Sequence, residues 1–210
     1  MELFATILEL VGTVAFAASG ALTAMKKHMD LLGIIVLAII TSVGGGVIRD
    51  LILGNTPPMV FRDPTCTMLA IATAIILFIP WLRRPVMHKQ KLFDLAMLIM
   101  DSLGLGIFTV MGIWIALDAD PNRSTFLLVF VGVITGVGGG ILRDILAGDT
   151  PYILVKHVYA CASLAGALSC ALLCRWLPHS AAMLISVALV LLIRLLSAHF
   201  HWNLPRVNQI

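Results

Sequence analysis

The chain has 210 residues, of which 60% are hydrophobic and only 12% charged, and its mean hydropathy is +1.03. Soluble domains average about 45–50% apolar and about 25% charged residues, so the composition excludes a water-soluble domain and points to an integral membrane protein. The net charge of +3 comes from lysines and arginines placed mostly between apolar runs; no basic stripe interleaved with aromatics marks a nucleic-acid surface.

In chain order, seven apolar segments approach the roughly 20 residues that a bilayer span needs. They lie at about 3–24, 31–53, 65–82, 93–117, 125–147, 157–177 and 180–200. The connecting loops are short, so residues 1–210 are expected to form one membrane domain. The N-terminal Met1-Glu2-Leu3 carries no basic region, and the first segment is expected to stay as a helix rather than be cleaved as a signal peptide. Cys66, Cys161, Cys170 and Cys174 fall in apolar segments without a CxxC spacing and read as small packing residues. The six histidines sit near segment ends, so neither a metal site nor a cofactor is expected. GxSxG, HExxH and GxxxxGK[ST] patterns are missing from the chain, and no catalytic residue is assigned.

One phrase occurs twice. Thr41–Pro57 reads TSVGGGVIRDLILGNTP and Thr135–Pro151 reads TGVGGGILRDILAGDTP, identical at 10 of 17 positions. The likeness extends upstream, where Glu9, Gly12, Phe16 and Gly20 in the first segment match Asp101, Gly104, Phe108 and Gly112 in the fourth. It continues weakly into segments three and six, where Arg62 faces Lys156. Each copy thus holds three spans: about 1–88 and about 89–178, with a seventh helix at about 179–200 outside the duplication. Because three is odd, the second copy enters from the opposite membrane face, which makes the pair an inverted repeat. Loop charge sets the orientation. Eight lysines and arginines (Lys26, Lys27, Arg83, Arg84, Lys89, Lys91, Lys156, Arg206) lie on one side and three (Arg62, Arg123, Arg175) on the other. The N-terminus is therefore expected outside and the C-terminus in the cytoplasm, as in a bacterial inner membrane protein.

Three consecutive glycines in a span weaken a helix by about 1 kcal/mol each. The triplets Gly44, Gly45, Gly46 and Gly138, Gly139, Gly140 are expected to break spans two and five. Each break would expose free carbonyls and amides that favour ions. The competing explanation is close packing, since 38, 42, 46 and 132, 136, 140 form small-residue ladders. Charges inside spans tend to face the bundle interior and pair. By depth, Glu9 is expected to meet Arg49, and Asp101 to meet Arg143 or Arg194. Asp50 and Asp144 follow an arginine directly and are expected not to face it. They lie in the first turn of each half-helix, and helix-start stabilisation and a place in the pore-lining or buried charge network with Glu9, Arg49, Asp101, Arg143 and Arg194 both stay open.

Seven spans arranged as two inverted triplets plus one, with GGG-x-x-R-D in spans two and five, resemble the prokaryotic branch of the TRIC (trimeric intracellular cation) channel family. Bacterial sequences of this kind also carry the name glycine transporter domain. The resemblance covers essentially the whole chain, including the tail His201-Trp202-Asn203-Leu204-Pro205. It implies a homotrimer with one pore per protomer, lined by spans two and five. Animal members carry Lys-Glu-Val after the span-two glycines and use it with a phosphoinositide; Arg49-Asp50-Leu51 holds that place here and keeps the basic-then-acidic order. Two functions stay open: a passive K⁺/Na⁺ channel, and a secondary carrier for a small zwitterionic amino acid such as glycine. The resemblance favours the channel. The implied partners are monovalent cations or a small amino acid, membrane lipids and two further copies of the chain, with no nucleic acid. A lipid-binding scaffold is the third, blander option.

Overall fold

A computed structural model describes residues 2–155 and 158–202. The expected Arg62–Lys156 equivalence, the charge of Arg206 and the tail from residue 203 onward fall outside the described residues. The described chain is helical in ten pieces: α1 (Glu2–Lys26), α2 (Leu31–Leu53), α3 (Met59–Arg62), α4 (Thr65–Phe78), α5 (Pro80–His88), α6 (Gln90–Ala119), α7 (Thr125–Leu146), α8 (Tyr152–Val155), α9 (Tyr159–Leu173) and α10 (His179–His199). Five of them (α1, α2, α6, α7, α10) are long and apolar enough to cross a membrane alone. The shorter α4 and α9 complete the set of seven apolar helices. At 15 residues, α9 spans only about 22 Å of the ~30 Å hydrocarbon core.

The third segment does not run unbroken to residue 82. The chain turns by 73° between α4 and α5. Pro80 lacks the amide that would continue the helical ladder, and its ring drives the preceding Ile79 out of the helical region, to φ −57° and ψ 125°. A basic helix carrying the exposed Trp81 therefore turns off at that point, and its far end, Val86 and Met87, packs against Leu22 of α1 and Phe93 and Met97 of α6.

Local signals explain the other boundaries. Asp30 starts α2 by accepting the Gly33 amide at 2.7 Å, and Ser124 starts α7 by accepting the Leu127 amide, as N-capping oxygens do. Gly54 (φ 78°) and Gly148 (φ 71°) end α2 and close the turn after α7 in the left-handed region, where a side chain is strained. The centre of the bundle is made by α1, α2, α6 and α7. On one flank α4 packs against α1 and α2, and on the other α9 and α10 pack against α6 and α7. Large apolar side chains such as Leu3, Leu32, Phe126 and Leu192 point outward, toward lipid tails as apolar as themselves.

Candidate functional site at the crossing of α2 and α7

The glycine triplets do not break their helices. α2 runs as one helix through Gly44–Gly46, and α7 does the same through Gly138–Gly140. The glycines instead lie where the two helices cross. A Cβ on Gly45 would collide with the Thr135 carbonyl of α7, and one on Gly139 would collide with the Thr41 carbonyl of α2. A Cβ on Gly138 would stand 3.1 Å from the Gly45 Cα. The missing side chains let two backbones meet, as small residues do between membrane helices. The packing reading of the small-residue ladder therefore wins over the expected break.

The copies reciprocate elsewhere too. Gly12 packs on Phe108 while Gly104 packs on Phe16, and the two rings stack 5.4 Å apart. Gly20 rests against Thr41 and Leu37 of α2, and Gly112 against Thr135 and Val131 of α7.

The Arg-Asp pair follows each glycine triplet one turn later, and here a second expectation fails. Arg49 Nε donates to Asp50 Oδ1 at 2.8 Å, and Arg143 Nε donates to Asp144 Oδ1 at 2.8 Å. Neighbours on a helix diverge at Cβ, but an arginine is long enough to turn its planar fork back onto the next carboxylate. Nor do Asp50 and Asp144 begin half-helices. Their second oxygens accept the Met59 amide at 2.8 Å and the Tyr152 amide at 2.8 Å. Those amides open α3 and α8, so each aspartate ties an arginine to the loop that follows its helix. The clue lay in the second half of the repeated phrase, where Gly-x-Thr-Pro spells the turn between carboxylate and amide.

The remaining charges are arranged differently in the two copies. Arg143 is fully buried and donates through one Nη to both Asp101 Oδ1 (2.5 Å) and Ser19 Oγ (2.5 Å). The expected Asp101–Arg143 pair is present. Arg194 takes other company: its guanidinium lies over the Tyr159 ring, 4.8 Å from the centroid, and its Nε reaches Ser102 Oγ. Tyr159 sits beside Gly140 and Tyr152 stacks against Arg143, so this half is filled.

In the first copy Asp50 Oδ1 takes both the Nε and Nη2 of Arg49. Among the described residues Arg49 makes no ion pair with Glu9. The two face each other across a cavity of about 70 Å³, also lined by Thr13, Ser42, Gly46 and Cys66. A Cβ on Gly46 would meet the Arg49 guanidinium at 3.6 Å, where one on Gly140 would meet the Tyr159 hydroxyl at 2.9 Å. Among the described residues no cluster of metal-ligating side chains occurs.

The family model described as "Glycine transporter" matches residues 6–81 and 98–175, one stretch in each copy. The chain belongs to this family, the TRIC family. It is 37% identical over 200 residues to the UPF0126 inner membrane protein YadS of Escherichia coli K12, covering 94% of this chain and 93% of that protein. It is 32% identical to UPF0126 membrane protein YvgT of Bacillus subtilis, covering 95% and 94%. Among solved structures it resembles a TRIC cation channel at 34% identity and TM-score 0.82, over 98% of both chains. The TRIC orthologue of Rhodobacter sphaeroides matches at 32% identity and TM-score 0.85, over 94% of this chain and 98% of that one.

Proposed function

We propose that this TRIC-family protein is a channel for monovalent cations, K⁺ and Na⁺, assembled as a homotrimer with one pore in each protomer. The observation that carries the reading is the likeness over 98% of both chains, at 34% identity, to a cation channel. The pathway runs beside the α2–α7 crossing. It enters at the cavity between Glu9 and Arg49 and passes Gly44–Gly46 and Gly138–Gly140 to Arg143, Asp144, Asp101 and Arg194. In the conformation described, Arg143 with Asp101 and Ser19 closes the far half. Conduction requires the Arg143 guanidinium to swing away from Asp101, while Asp144 keeps it paired.

The two copies are related as inverted repeats, with the N-terminus outside and the C-terminus in the cytoplasm of a bacterial inner membrane. Contacts between loops fit this alternation. Lys27 after α1 pairs with Asp149 after α7, and Arg175 after α9 reaches Thr125 at the start of α7, so each pair shares one membrane face.

Planar-bilayer recording of the purified protein tests the channel. Discrete unitary currents carried by K⁺ are expected. Saturable glycine uptake into vesicles without unitary currents would replace the channel with a carrier, a reading that the family description favours.

A further inference from the structure

A second polar cavity, of about 430 Å³, lies far from the glycine crossing. It opens on the membrane face where α6 and α9 end and α7 and α10 begin. Trp114, Asp118, Arg123, Cys174, Arg175 and His179 line it. By loop charge that face carries three arginines and no lysine, and two of the three converge here from loops about 50 residues apart. Among the described residues neither Arg123 nor Arg175 has an acidic partner within ion-pair distance. Arg175 spends one Nη on Thr125 Oγ1 at 2.7 Å. The Nε of Arg123 and the Nδ1 of His179 are both cut off from solvent without a hydrogen-bond partner among the described residues. Leaving such groups unmatched is costly.

His179 is also the first residue of α10, whose N-cap, Pro178, supplies no capping side chain. The first-turn amides of a 21-residue helix therefore add positive potential at the same wall. Trp114 supplies an apolar floor, its ring 5.3 Å from the His179 imidazole.

We infer that this cavity is an oxyanion-binding site. It takes a carboxylate or phosphate group on a small solute or on a lipid headgroup, held in the forks of Arg123 and Arg175. Planar guanidinium forks match both groups in bidentate fashion. Asp118 at the same wall turns away a second negative charge and accepts an ammonium, so a zwitterion is tolerated. The site is separate from the proposed cation path and stands or falls without it.

Trp114 is a built-in reporter. Its fluorescence, isolated by comparison with Trp114→Phe, is followed in detergent with inorganic phosphate or acetate against chloride at equal ionic strength. It is followed again in nanodiscs of phosphatidylglycerol against phosphatidylcholine. A saturable change in the first arm assigns a soluble oxyanion, and a change in the second alone assigns a lipid headgroup. Each arginine holds the anion by charge-assisted bonds, so Arg123→Gln with Arg175→Gln is expected to weaken the response at least about tenfold. Arg175→Gln alone changes an exposed residue and keeps the test available should the double variant not assemble. No change in either arm, or a wild-type response from a correctly assembled arginine variant, overturns the site.

Discussion

The glycines at the crossing make the sharpest test, because the three members of each triplet face different neighbours. Gly45 and Gly139 each meet a backbone carbonyl of the opposite helix, which has no rotamer to yield. Gly45→Ala or Gly139→Ala must push α2 and α7 apart. Overpacking costs about 1–3 kcal/mol, and a collision with rigid backbone puts these two positions at about 2–3 kcal/mol, offset by about 1 kcal/mol of improved helix propensity. The net loss is about 1–2 kcal/mol per substitution. For a chain of 210 residues that lowers the midpoint of thermal unfolding by about 2–8 °C. Gly46→Ala is the contrast. Its Cβ would rest 3.6 Å from the Arg49 guanidinium, in ordinary contact, so only the helix-propensity gain remains and the midpoint should rise or hold. Gly44→Ala lies between, since its Cβ would approach only the tip of Leu142 at 2.6 Å, a side chain that can turn aside. The assay is thermal unfolding of the detergent-solubilised oligomer, followed by size-exclusion to confirm assembly. If all three alanines stabilise alike, helix propensity governs these positions and the backbone contact has no energetic role.

Other outcomes follow from the charges. Asp101→Asn removes one of the two carboxylates serving the buried Arg143 and should cost on the order of 3 kcal/mol, whereas Glu9→Gln should cost under about 1 kcal/mol because Arg49 already has Asp50; equal losses in chemical unfolding would contradict this asymmetry. Asp144→Ala removes the carboxylate that accepts the Tyr152 amide and leaves Arg143 to Asp101 and Ser19, so proteolysis between residues 147 and 152 should accelerate, and an unchanged cleavage rate would deny the tie between helix and loop. Lys27→Gln breaks an exposed pair and should change stability by under about 1 kcal/mol at low salt, with nothing left at high salt. The hydroxyl and then the amide of Thr65 hold the Asp63 carboxyl below the ordinary aspartate range. With the folded value depressed, that contribution is present at neutral pH and is lost as pH falls through the lowered pKa. Thr65→Val should move the Asp63 titration upward by NMR, and an unmoved titration would remove the hydroxyl as its cause.

Much was legible before any coordinates. Composition alone made the chain a membrane protein, because a bilayer span needs a run of apolar residues that no soluble domain tolerates at this density. The doubled phrase gave the two copies, and matching depth narrowed the partner of Asp101 to Arg143 or Arg194, of which the fold uses Arg143. Pro80 was a visible signal as well, and a segment drawn to residue 82 passes over it. Other features were decided only in three dimensions. A glycine triplet has the same signature whether it breaks one helix or lets two helices touch, and only the Thr135 and Thr41 carbonyls lying over Gly45 and Gly139 distinguish the cases. Which carboxylate an arginine chooses depends on how a long side chain folds back. Arg49 therefore takes Asp50 rather than Glu9, against the spacing rule for neighbours. The pairing of Arg123 with Arg175 around one cavity joins loops that no periodicity relates. Sequence records what each segment needs, since burial and helix propensity are properties of local pattern. Which segments meet those needs is fixed by the packing of α1, α2, α6 and α7, where contacts depend on positions that no single helix encodes.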